Sequence, residues 1–101
     1  MAILVDAPLW PNHGTLWAHL VSDTSLDELH DFARLAGLPR RSFDRDHYDV
    51  PQERIVELLE LGAEQVDGRT LVKRLTASGL RVRAKDRSAH EAHSTEHGGA
   101  N

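Results

Sequence analysis

The sequence predicts a small α/β domain, with a short, partly parallel sheet and about three helices. Three observations predict it. Short apolar, strand-like runs alternate with helical periodicity between residues 3 and 83. Capping residues and glycines mark most of the transitions. The 101 residues are 40% apolar and 28% charged, the make-up of an ordinary globular chain. Residues 1–83 read as one domain with one modest core. From Ala84 onward periodicity is lost and Gly98-Gly99-Ala100-Asn101 closes the chain, so 84–101 is expected to be a disordered tail.

Ile3-Leu4-Val5 reads as a buried first strand ending at Asp6. Ala7 to Gly14 holds two prolines and a glycine and is expected to be a loop. Leu16 to Val21 is apolar enough for a second strand, with His19 inside it. A helix is predicted from about Ser25 to Ala36. Thr24 is a good N-cap, and Ser25 with Glu28 offers an alternative capping box. Leu26, Leu29, Ala33 and Ala36 make its apolar stripe, and Gly37 stands at the left-handed C′ position.

Phe43 and Tyr48-Asp49-Val50 bracket a short third strand. Asp49 and Gln52 match a second capping box, opening a helix that runs to about Leu61. Ala63 to Val66 suggests a short strand. Asp67 or Gly68 opens a third helix, which ends at Gly79. Leu80-Arg81-Val82-Arg83 alternates like an edge strand.

The composition narrows the function classes. There is no cysteine, so disulfides and thiolate metal sites are excluded. No apolar run approaches the roughly 18 residues of a membrane span, and the N-terminus lacks the basic start of a signal peptide. Cytoplasmic location is the expectation. The net charge is −4, but residues 1–68 carry −8 and residues 69–87 carry +6. That basic stretch suits an acidic protein or a nucleic-acid backbone, or it lies against the acidic body of the chain. No glycine-rich phosphate loop or nucleophile elbow is present.

Several residues have the chemistry of a site. Asp6 and Asp23 follow the first two strands, and His47 and Asp49 fall at the third. Ligands of open α/β sheets gather at strand ends. Imidazole and carboxylate together bind zinc, manganese or iron without thiols. Asp6, His19, Asp23 and His47 are therefore candidate ligands for a divalent metal. His47, His30 and Asp49 are candidates for acid–base work. Arg40, Arg41 and Arg45 could pair with an anionic, phosphate-containing substrate.

Each candidate also has a structural reading. Asp6 can end a strand, while Asp23 and Asp49 can cap helices. His30 lies at the edge of the first helix's stripe, where a hydrogen-bond partner would satisfy it. Trp10 and Trp17, beside Arg40 and Arg41, could stack a nucleotide or fill the core. His90, His93 and His97 have ligand-like spacing but stand in the tail.

Val5-Asp6, Trp17-Ala18-His19-Leu20, Ser22-Asp23-Thr24, Glu28-Leu29-His30, Phe32-Ala33, Gly37-Leu38, His47-Tyr48-Asp49-Val50 and Gly62-Ala63 form a pattern over roughly residues 2 to 80. It resembles a family of short bacterial and phage proteins catalogued as a domain of unknown function, number 4031. Many relatives follow the strand-1 Asp with a second acid and have a longer loop before His-Tyr-Asp. Here Ala7 takes that position and the loop is short, so the resemblance implies no paired-acid mechanism at strand 1. It implies no established activity either.

Two functions follow as expectations. One is a metal-assisted or acid–base site at the strand ends, acting on a phosphate-containing substrate. The other is a non-catalytic module that binds a protein or nucleic acid through residues 69–87. Neither involves a membrane, and homo-oligomerisation is compatible with both.

Overall fold

The computed structural model describes residues 2–82. In chain order the elements are β1 (Ile3–Val5), β2 (Trp10–Asn12), β3 (Thr15–Ser22), α1 (Leu26–Ala36), β4 (Phe43–Asp44), β5 (His47–Pro51), α2 (Ile55–Glu60), β6 (Glu64–Gln65) and α3 (Gly68–Ser78). Single 3-10 turns precede β4 and α2, at Arg40–Ser42 and Gln52–Arg54. The sheet runs β4-β5-β3-β1-β6, with β2 paired to β3. Only β1 and β6 pair in parallel; the other pairings are antiparallel. The partly parallel α/β fold expected from the sequence is the fold observed.

The two-residue period of a strand divides the sheet's faces. Ile3, Val5, Ala18, Leu20, Tyr48 and Val50 face α1 and α2 and form the larger core with Leu29, Ala33, Ile55 and Leu58. Leu4 and Val21 face the other way and pack with Leu71 and Leu75 of α3. The helix caps follow the sequence closely. Ser25, not Thr24, caps α1, its hydroxyl accepting from the Glu28 N–H at 3.0 Å, and Gly37 closes the helix at φ 75°. Asp67 caps α3 by accepting from Thr70 N–H at 2.7 Å.

The single third strand expected between Phe43 and Val50 is instead two antiparallel strands, β4 and β5, joined by a turn at Arg45 and Asp46, and the structure departs from the sequence reading in three further places. The expected loop from Ala7 to Gly14 contains β2. Pro11 is tolerated because β2 is an outer strand paired on one side to β3. The turn joining them is His13-Gly14, both in the left-handed region at φ 49° and 79°, as a tight hairpin requires. Second, Asp49 caps no helix. It lies within β5, and the chain reaches α2 through a 3-10 turn that starts after Pro51. Third, Leu80, Arg81 and Val82 form no strand; the Val82 N–H instead donates to the Asp46 carboxylate at 2.8 Å. Arg83 and the expected tail over 84–101 lie outside the described residues. Among the described residues, no helix is long and apolar enough to cross a membrane.

Candidate metal centre

The site forms on the sheet face that α3 covers only in part. Ala18 and Leu20 point into the larger core, so Trp17, His19 and Val21 project from the opposite face. In β5, Tyr48 and Val50 point inward, which turns His47 and Asp49 to the same side as His19. The register then sets His19 directly opposite Asp49. The imidazole rings of His19 and His47 stand edge to face, 5.0 Å between centroids. Among the described residues, His19, His47 and Asp49 each bring one ligand atom within 4.8 Å of the others.

A carboxylate stands behind each imidazole. Asp6 lies just past β1 and is largely buried. One of its oxygens accepts from the His19 backbone N–H at 2.7 Å and the other meets His19 Nδ1 at 2.9 Å. The ladder thus ends in a carboxylate that fixes the ring of the residue opposite. Asp46, in the turn between β4 and β5, has no exposed surface and meets Nδ1 of His47 at 2.8 Å. On the far side of that ring, Nε2 lies 3.0 Å from Asp49 Oδ1. Metal-binding histidines commonly engage a carboxylate through the nitrogen that does not bind the metal.

Electrostatics follow from these contacts. Burial disfavours a charge on His47, but hydrogen bonds to Asp46 and Asp49 and their negative charges outweigh it. The imidazolium is lifted to a pKa of about 9. Burial likewise works against an ionised Asp46. The bonds from His47 and the Val82 N–H, with the charges of His47 and Arg81, overcome it and hold the carboxyl below its ordinary 3.8.

A cavity of about 420 Å³ opens in front of this group. Asp6, His19, His47 and Arg81 supply its polar lining, and Val21, Leu71 and Leu75 its apolar wall. A second groove of about 250 Å³ is bordered by Trp10, Trp17, Arg41 and Asp49, whose carboxylate meets His47 of the first cavity at 3.0 Å.

Of the residues singled out in the sequence, Asp6, His19, His47 and Asp49 come together. Asp23 does not join them. It accepts from the Ala2 N–H at 2.8 Å and pairs with Arg74 at 2.7 Å, tying β1 to α3. His30 lies on the opposite face, with Nδ1 2.8 Å from the Tyr48 hydroxyl and its ring against Phe43. Arg40 sits over the Phe43 ring, and Arg45 pairs with Asp44; neither lines the cavity. Arg41 reaches the second groove. In the basic segment, Arg74 is paired to Asp23 and Glu64, and Arg81 lies 3.9 Å from Asp46. Arg83, Lys85, Arg87 and the three tail histidines lie outside the described residues.

Two participants escaped the sequence reading. Asp46 looks like any turn aspartate beside Asp44 and Arg45; only its position directly before His47 hints at a role. Arg81 reads as one cation among seven in the basic stretch, and the short segment that follows Gly79 at the end of α3 brings it to the site.

No curated protein and no solved structure matches the chain. A family model does match, across residues 3–78, and that span includes β1 to α3 and the whole His–Asp group. The chain therefore belongs to the family described as "Protein of unknown function (DUF4031)".

Proposed function

We propose that this protein is a divalent-metal protein that acts on a phosphate-containing substrate. His19 and His47 bind the ion through the ring nitrogens turned away from Asp6 and Asp46, and Asp49 supplies an oxygen. The observation that carries this reading is the convergence of two imidazoles and one carboxylate, each imidazole backed by its own carboxylate. Two histidines and a carboxylate suit zinc, manganese or iron and leave coordination positions for water or substrate. Such an ion, when bound, lowers the pKa of a water and polarises a phosphoryl oxygen.

The chain's own residues supply the rest. Asp6 and Asp46 orient the imidazoles and set their tautomers. Arg81 on one side and Arg41 on the other offer positive charge to an anionic substrate. The apolar wall from β3 and α3 limits water at the centre. The interaction-module reading draws less support, because Arg74, in the middle of the basic segment, already pairs with Asp23 and Glu64 of the same chain.

The test is thermal unfolding of the full-length chain carrying His90→Asn, His93→Asn and His97→Asn, which removes the tail imidazoles as a source of binding. After chelator treatment, zinc, manganese and magnesium are added in turn. An ion at about 100 times its dissociation constant stabilises the fold by roughly 2.7 kcal/mol, a rise of several degrees for a domain this small. The rise should vanish in His19→Ala and His47→Ala. No rise with any of the three ions would overturn the proposal.

A further inference from the structure

We infer that the groove walled by Trp10, Trp17 and Arg41 is a base-binding subsite, and that the substrate of the adjoining centre is therefore a nucleotide. The inference rests on the metal reading for where the phosphate sits, and on separate observations for the base.

The first observation is where the tryptophans stand. Two tryptophans in so small a domain are expected in the core, yet neither belongs to the two buried clusters. Both are half-buried on the sheet face that carries the metal ligands. They face each other across the β2–β3 hairpin with ring centroids 6.0 Å apart, and the Trp10 ring lies 5.6 Å from that of His19. The aromatic wall and the ligand group are thus contiguous, and Asp49 borders both.

The second observation is rigidity. The Trp17 indole N–H donates to the Asn12 carbonyl at 2.8 Å, which fixes one ring against its own hairpin. A preset aromatic surface binds flat rings at little entropic cost. The third is an unpaired donor. Trp10 Nε1 is buried and has no hydrogen-bond partner among the described residues. A buried N–H is costly until it is satisfied. The ring nitrogens and carbonyls of a nucleobase are acceptors that would satisfy it once the indole turns toward them. Finally, the exposed Arg41 places a cation on the groove's rim. A ligand with an aromatic base at one end and phosphate at the other matches this order of aromatic wall, cation and metal ligands. It can be a free nucleotide or the end of a single strand.

The test uses the full-length chain carrying His90→Asn, His93→Asn and His97→Asn, whose two tryptophans are both in the groove and so report on it by fluorescence. Adenosine 5′-monophosphate, ribose 5-phosphate and a short single-stranded oligodeoxynucleotide are titrated with and without zinc. Calorimetry with zinc on the same samples reads the metal site separately. Adenosine 5′-monophosphate or the oligonucleotide should quench saturably, and ribose 5-phosphate should bind about tenfold or more weakly, as expected for loss of one stacked base. Trp17→Leu and Arg41→Ala should lose about tenfold in nucleotide affinity while keeping the zinc isotherm. Arg41 is exposed, so its variant keeps the test valid if Trp17→Leu fails to fold. Tighter binding of the mononucleotide assigns a free nucleotide, and tighter binding of the oligonucleotide assigns a strand end. A zinc isotherm without saturable quenching overturns the subsite and leaves the metal centre. Ribose 5-phosphate binding as well as the nucleotide also overturns it. If zinc does not bind, the metal reading fails and quenching in metal-free protein decides the subsite alone.

Discussion

Asp46 is completely buried, and its carboxylate meets Nδ1 of His47 at 2.8 Å. The two are neighbours in sequence, yet Asp46 also reaches a distant part of the chain. The other oxygen of Asp46 accepts from Val82 N–H, also at 2.8 Å, so one side chain holds both the β5 imidazole and the chain leaving α3. Replacing it with alanine leaves His47 Nδ1 and a backbone donor unpaired, with Asp49 the only carboxylate still on the imidazole among the described residues. Asp46→Ala should lower stability by about 3 kcal/mol, the scale of a broken buried pair. It should also weaken zinc binding by about 10- to 100-fold, as loss of an outer carboxylate does. Asp46→Asn keeps the shape and should lie between. Denaturant unfolding and zinc calorimetry measure both effects, and an unchanged unfolding midpoint in Asp46→Ala would contradict the assignment.

The same contacts make the metal-free protein sensitive to alkali. His47 is raised from an ordinary 6.5 to about 9 in the folded chain. The folded state therefore holds a proton that the unfolded state has released between those values. Its stabilisation is complete below about pH 6.5 and is lost as pH rises through about 9. The difference is up to about 3 kcal/mol, and the small exposure of the side chain keeps it from being screened away. Unfolding of chelator-stripped protein should show this decline between about pH 6.5 and 9.5. His47→Gln should flatten it; a parental protein equally stable at both ends would rule the linkage out.

Much of this arrangement was legible in the sequence because strand alternation is a local code. Trp17-Ala18-His19-Leu20-Val21 tells which residues share a face before any partner strand is known. The stop at Gly37 was equally plain, whereas the first cap fell to Ser25, the alternative to Thr24, and the third to Asp67 rather than Gly68. The pairing of β3 with β5 was not legible, because register depends on contacts between residues some thirty positions apart, such as His19 and Asp49. That register is what puts His19 against Asp49. β2 was hidden by Pro11 and the nearby Pro8, which normally argue against a strand; Pro11 is harmless in this outer one. Asp49 carried a capping signal that tertiary pairing overrode. Asp46 had the chemistry of a turn residue and acquired a different role only through burial.

His30 belongs to the other face of the sheet, where it accompanies Tyr48 and Phe43. Burial, and then the charge of Arg40, hold its pKa below the ordinary 6.5. Its contribution to stability thus runs opposite to that of His47: present above pH 6.5 and lost as pH falls through the depressed value. Tyr48→Phe removes the hydroxyl that His30 Nδ1 contacts and should cost about 1 kcal/mol, the net worth of a hydrogen bond. Zinc affinity should not change in that variant or in His30→Gln. A loss of zinc binding in either would return His30 to the site.

Asp23 shows that a carboxylate just past a strand need not be a ligand. It accepts from the Ala2 N–H and pairs with Arg74, with about a sixth of the side chain exposed, 17%. Burial resists its charge, while the Ala2 N–H and the Arg74 guanidinium hold its pKa below 3.8. Partial exposure screens the Arg74 pair, so Asp23→Ala should cost only about 1–2 kcal/mol, mostly from the unpaired Ala2 N–H and the loosened α3. Because Asp23 clamps the end of β1 that lies away from Asp6, zinc affinity should stay within about twofold of the parent, less than the 10- to 100-fold loss expected at Asp46. Asp6→Ala supplies the contrast: it should leave the Ala2 clamp intact and reduce zinc affinity through His19. Parallel calorimetry of the two variants separates a structural carboxylate from one that orients a ligand. Equal losses would mean that the metal ligands extend beyond His19, His47 and Asp49.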